Sequence, residues 1–352
     1  MVNSLNNTNK KIRFSLDPAT GTLTSEDARS YFSRIGFATT ALMVINIGVQ
    51  LLLSLLLAAL APTLYGNEIV QNLFSFIPMY LVALPVFLSI LRPLPSASPL
   101  KTPINGRTWF GGLCVSVAIM TVGNSLSQSV ILWFDMFLGR SLENPVETAT
   151  VGTTWWVNLI FVALLAPILE EILFRKILCR YLLPLGEGYA IVLSATIFGL
   201  AHGNFFQFFY AFGLGCIFAF IYIKTGKLIY TILYHIVINL LGGVLAPWII
   251  EQLDVEALLP LLEELMASAT PDLSLLDPYA TPLALLLAYE FFMYGAAIAG
   301  AILFFRARKR MSLDAGLLPP PRKGRIGNIF LNTGVAAALT VFAGIFLLSL
   351  LP

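Results

Sequence analysis

Residues 155–182 read WWVNLIFVALLAPILEEILFRKILCRYL, and this stretch decides the fold. From Trp155 to Leu169 there is no ionisable side chain. A run of about 20 apolar residues is the length needed to cross the hydrocarbon of a bilayer. A water-exposed helix this long would carry a polar stripe at every turn, and none is present. Similar runs occur at 36–62, 69–91, 109–134, 188–203, 205–224, 228–250, 283–305 and 327–351. The chain therefore reads as all-α, a polytopic membrane bundle of about eight or nine transmembrane helices. The count turns on 188–203, which is short and is followed almost at once by the next run.

Composition agrees. The 352 residues are 58% hydrophobic and 11% charged, with mean hydropathy +0.84, whereas soluble domains carry about a quarter charged residues. The formal net charge is +2 and no basic patch is interleaved with aromatics, so nucleic acid is not an expected partner. Cys114, Cys179 and Cys216 show no CxxC spacing and lie in or beside apolar runs, which predicts packing residues rather than a disulfide framework or a nucleophile. Residues 1–34 are polar, with Lys10, Lys11, Arg13, Arg29 and Arg34 ahead of the first apolar run. That order predicts a retained anchor, not a cleaved signal.

Lys and Arg placement gives an orientation. With the N-terminus in the cytoplasm, 92–108, the turn in the 180s, 224–227 and 306–326 are also cytoplasmic, so that twenty of the 21 basic residues fall in cytoplasmic segments or at their borders and only Arg140 is outside. The connection 251–282 holds seven acids and no base, which suits the outer side. Within it, DVEALLPLLEELMASA reads as a partly amphipathic helix interrupted at Pro260.

Ionisable side chains inside a bilayer are costly and mark function by default. They concentrate in three consecutive runs: Glu170, Glu171 and Arg175; then His202, preceded by Phe198; then His235 with Asn239. Both histidines of the chain are in this set. Glu171 and Arg175 are spaced i, i+4 and can pair on one helix face, as are His235 and Asn239. Glu170, about 100° around the helix from Glu171, is free to point elsewhere. The spacing predicts a Glu170 carboxylate facing His202 across a helix groove, with His235 and Asn239 opposite and room between for a water and a carbonyl. A buried carboxylate suits a general base, and His and Asn donors suit a developing oxyanion. Depth counted from the helix starts predicts that the site opens toward the cytoplasm. Glu290 reads as a helix-packing hydrogen bond, and Asn124, Ser125, Ser127 and Gln128 as interhelical polar contacts.

At these residues the sequence resembles the CAAX protease and bacteriocin-processing (CPBP, also called Abi) family of intramembrane peptidases. Its pattern EExxxR, FxxxH, HxxxN appears as EEILFR at 170–175, FGLAH at 198–202 and HIVIN at 235–239. The resemblance implies an endopeptidase acting on a membrane-associated or lipidated peptide or protein. By it, Glu170 and His202 activate the attacking water and His235 and Asn239 stabilise the oxyanion, with Glu171, Arg175 and Phe198 in support. It implies no cofactor in the favoured form. In the alternative form zinc is held by Glu170, His202 and His235, although no HExxH is present. A non-catalytic bacteriocin-immunity or scaffold protein is a further alternative. A proton-linked carrier would show matched, Gly/Pro-broken halves, and none is evident. The chain then divides into a cytoplasmic tail (1–35), accessory transmembrane helices (36–150), a CPBP-like catalytic core (151–250), an extracytoplasmic connection (251–282) and C-terminal transmembrane helices (283–352). Compact loops and the lack of eukaryotic targeting motifs fit a multi-pass protein of a bacterial plasma membrane, with the lipid bilayer as its solvent.

Overall fold

A computed structural model describes residues 14–351. The expectations placed on Lys10, Lys11 and Arg13 lie outside the described residues. Among the described residues the architecture is all-helical, and the only extended pairings are the isolated bridges Leu16–Leu23 and Gly186–Ala315. Seven helices among the described residues are long and apolar enough to cross a membrane: α1 Ser25–Leu60, α2 Glu68–Leu91, α3 Gly106–Leu138, α4 Trp155–Leu185, α6 Phe205–Thr225, α7 Leu228–Leu253 and α9 Leu273–Arg310. Two shorter apolar helices, α5 Glu187–Ala201 and α10 Thr333–Leu348, complete the set of nine apolar runs, and α8 Val255–Ala267 lies in the acidic connection. This is a polytopic membrane bundle. In lipid only such closed hydrogen bonding within each helix satisfies the backbone.

The helix ends follow from local chemistry. α1 begins at Ser25, well before the first apolar run, because the Thr24 hydroxyl accepts from Asp27 N–H at 3.2 Å and caps it. Glu26 and Asp27 sit in its first turn, where acids complement the helix dipole. Hydropathy alone cannot see this polar opening. Asn204 caps α6 in the same way, accepting from Gln207 N–H at 2.9 Å. Between α5 and α6, Gly203 takes φ +70°, a conformation that glycine adopts without strain.

Proline shapes the interior of three helices. Pro78 in α2, Pro167 in α4 and Pro247 in α7 lie in or just after wide, π-type turns at Ile77–Ala83, Asn158–Leu165 and Leu241–Leu245. A proline has no N–H to offer the carbonyl four residues back, and the ladder re-registers around the gap. A fourth wide stretch, Glu171–Leu178, contains no proline and carries the acidic-basic motif. Pro260 does not interrupt its helix: α8 runs through it from Val255 to Ala267. Losing one hydrogen bond of the ladder does not by itself end a helix.

α6 is the centre of the bundle, packed along α5 on one side and α3 on the other, with α9 against α3 and α10 against α1. The α5–α6 approach depends on glycine. A Cβ on Gly215 would lie 2.9 Å from Ala195 Cα and 3.2 Å from Phe198 Cδ1, and one on Gly199 would lie 3.1 Å from the Phe208 carbonyl oxygen. Small residues at such a seam let helix backbones meet, which fixes Phe198 and His202 against α6. At the other end of α5, Glu187 pairs with Lys224 of α6 and accepts from Asp314 N–H at 2.8 Å.

Two expectations are corrected. Of the four polar residues Asn124, Ser125, Ser127 and Gln128 in α3, only Ser127 is buried, while the other three are exposed. The Ser125 hydroxyl instead donates to its own helix at Thr121 O, 3.0 Å, which removes its need for a neighbour. Glu290 is half-buried with no hydrogen-bond partner among the described residues, so it is not a packing hydrogen bond.

Candidate active site

α4, α5 and α7 bring the expected residues together. Glu170, Phe198, His202, His235 and Asn239 all line one cavity of about 250 Å³. Glu171 and Arg175 lie behind it, each 0% exposed, with Arg175 Nε 3.3 Å from Glu171 Oε2. The predicted i, i+4 pair is therefore present. The Arg175 guanidinium also lies 4.3 Å from the Phe198 ring centroid and 5.6 Å from that of Phe218. Aromatic faces attract a desolvated cation, and these two rings enclose it.

Phe198 is the hub of the site. Its ring meets His202 edge-on at 4.9 Å and His235 at 5.8 Å, while it also faces Arg175. His202 Nδ1 lies 2.8 Å from the Phe198 carbonyl. A carbonyl can only accept, so Nδ1 carries the proton and Nε2 keeps its lone pair. His202 thus offers a basic nitrogen from a ring held in place on its other side.

His235 sits between the two carboxylates. Its Nδ1 is 3.2 Å from Glu171 Oε1, and its Nε2 is 3.7 Å from Glu170 Oε2. The sequence expectation set His235 opposite Glu170 as a free donor; in the structure Arg175, Glu171, His235 and Glu170 form a line of alternating charge type. A separation of 3.7 Å is too long for a hydrogen bond, and Glu170 Oε2 is buried with no hydrogen-bond partner among the described residues. The Asn239 amide donates to Val162 O at 2.9 Å, which uses one of its two N–H bonds.

The lining residues come from different depths of their helices. Asn72 of α2, Phe161 of α4 and Gln207 of α6 belong to the opening turns, and His202 follows the last residue of α5, whereas Glu170 is mid-way along α4 and His235 and Asn239 lie in the first half of α7, which starts beside Lys227.

Asn72, Ser75, Gln207 and Tyr210 also line the cavity and were missed in the sequence. Their signal is the i, i+3 spacing of Asn72 and Ser75 in an apolar run, a weaker mark than an intramembrane charge. The zinc alternative is poorly matched by the donors. Among the described residues no three His, Cys, Asp or Glu side chains converge to hold a metal ion, and both nitrogens of His235 face carboxylates. The arrangement can hold a water between a carboxylate and an imidazole and present an amide donor beside it.

Comparison with known proteins bears on the same region. Residues 152–241 match the family model described as Type II CAAX prenyl endopeptidase Rce1-like. The chain is 31% identical over 174 residues to the putative membrane peptidase YdiL of Bacillus subtilis (strain 168), covering 48% of this chain and 69% of that protein. It is 34% identical over 90 residues to the membrane-embedded CAAX protease MroQ of Staphylococcus aureus (strain USA300), covering 24% of this chain and 36% of that protein. No solved structure gives a significant match. A polytopic helical bundle with EExxxR, FxxxH and HxxxN meeting at one cavity, and a relative matched over more than two thirds of its length, together place this chain in the CAAX protease and bacteriocin-processing family of intramembrane peptidases.

Proposed function

We propose that the protein hydrolyses a peptide bond of a membrane-associated or lipidated peptide or protein, using water activated by Glu170 and His202 without a metal. The observation that carries this reading is Glu170 Oε2, a buried carboxylate oxygen with no hydrogen-bond partner among the described residues, in a cavity that also holds His202 and Asn239. Buried acceptors need donors, and a water is the donor that fits such a polar space.

Glu170 takes the proton as that water attacks the scissile carbonyl, with the His202 Nε2 lone pair orienting the water's second hydrogen. The free N–H of Asn239 donates to the developing oxyanion, joined by His235 Nε2–H, 3.7 Å from Glu170, in the imidazolium form that also donates Nδ1–H to Glu171. The proton held on Glu170 then passes to the leaving amine. Arg175 and Glu171 hold His235 from behind, and Phe198 fixes both imidazoles. The poor convergence of the donor set supports the metal-free form over zinc. The favoured setting is a bacterial plasma membrane with the N-terminus cytoplasmic.

The test is comparative peptidomics of membranes carrying wild type or Glu170→Ala. The proposal expects a discrete set of peptides that accumulate uncut only with Glu170→Ala. Identical peptide profiles, with both proteins folded and present at equal level, would favour the non-catalytic immunity or scaffold reading.

A further inference from the structure

A second cavity, of about 440 Å³, adjoins the first, and His202 lines both. Apart from residues 201–206, its walls come from outside the 152–241 stretch that matches the family. One wall is a single face of α1, formed by Met43, Asn46, Ile47 and Gln50, whose i, i+3, i+4, i+7 spacing aligns them. The others are the start of the α3–α4 connection, at Leu142 and Glu143, and the end of α10.

Asn46 is 8% exposed, and its side-chain oxygen accepts from Gln50 Nε2 at 3.5 Å. Carboxamides on an apolar membrane helix normally bond to a neighbouring helix; this pair lines a chamber instead. Each carboxamide offers both a donor and an acceptor, the same complement as a peptide backbone unit. A third cavity, of about 540 Å³, shares Ile131, Leu142, Glu143 and Phe206 with the second, and adds Asp135 and Glu147 with no base. Glu143 stands where these two spaces join and makes no ion pair among the described residues.

We infer that the 440 Å³ cavity is the substrate-binding chamber, built by helices outside the family-matched core, for an extended peptide segment with a basic residue near the scissile bond. The Asn46 and Gln50 carboxamides bond the peptide backbone, and Glu143 takes the cation. This rests on the peptidase reading above, since His202 is the wall through which the chamber reaches the reacting water.

Two measurements in nanodiscs test it. In the first, two internally quenched peptide mixtures are compared, identical except for Lys/Arg or Glu at the varied positions. Wild type prefers the basic mixture. Glu143→Gln lowers kcat/KM for it about threefold, the scale of an exposed charge pair, and Gln50→Leu raises KM with little change in kcat. In the second, the thiol of Gln50→Cys is labelled with a maleimide in the Glu170→Ala background, where nothing is cut. The basic mixture slows labelling and the acidic one does not. Unchanged labelling with either mixture, or equal cleavage of both by wild type and Glu143→Gln, overturns the chamber. If labelling is protected by the basic mixture but wild type cuts nothing, the chamber stands and the peptidase reading falls.

Discussion

Replacing Arg175 by Met removes the cation that faces the buried acids. Arg175 is 0% exposed, its Nε is 3.3 Å from Glu171 Oε2, and its guanidinium is 4.3 Å from the Phe198 ring. Met fills a similar volume, so the loss is electrostatic rather than steric. Removing one partner of a buried ion pair costs about 3–5 kcal/mol, and Glu171 then relies on the His235 Nδ1–H at 3.2 Å. The lost contacts with Phe198 and Phe218 belong to the same event and do not add in full. The expected destabilisation is therefore about 4 kcal/mol. In the double variant Glu171→Gln/Arg175→Met the buried carboxylate is gone, and at least about 1 kcal/mol returns because the remaining amide needs no counter-charge. Equilibrium unfolding in mixed detergent, followed by tryptophan fluorescence, measures both. Arg175→Met within 1 kcal/mol of wild type, or a cycle with no coupling between 171 and 175, would refute the role given to this pair.

Asn239→Ala loses an oxyanion donor and lowers kcat about 10²- to 10³-fold; steady-state kinetics would detect it, alongside a modest stability loss because the Val162 carbonyl is left without its donor. Gly215→Val places a methyl-bearing Cβ 2.9 Å from Ala195 Cα, forcing α5 from α6 at a cost of about 1–3 kcal/mol, and His202 moves with α5. Activity should fall with stability in the same variant, and an unfolding curve matching wild type would contradict the close packing. Incubation with 1,10-phenanthroline or EDTA leaves cleavage unchanged; loss of activity that zinc restores would support the metal form instead.

The parts of this molecule carried by regular helix periodicity were readable in the sequence. Glu171 and Arg175 pair as their spacing requires, Phe198 packs against His202 one turn on, and each of the nine apolar runs corresponds to a helix. Features that depend on departures from the regular helix were not. The wide turns of α4 are set by how carbonyls near Pro167, and in Glu171–Leu178, find partners, and no residue pattern announces the second of these. The position of His235 between two carboxylates arises from how α7 crosses α4, a tertiary fact. The polar first turns of α1 were legible only through the Thr24 cap, a signal that a search for apolar runs passes over.

The most direct test of the central claim is the Glu170→Gln variant, which keeps the side chain's size and removes its base. Purified into nanodiscs beside wild type and supplied with the peptides that accumulate in Glu170→Ala membranes, it should fold with an unchanged unfolding midpoint and yet cleave at least about 10²-fold more slowly, the least expected of a lost general base. Cleavage by Glu170→Gln at the wild-type rate would contradict the account.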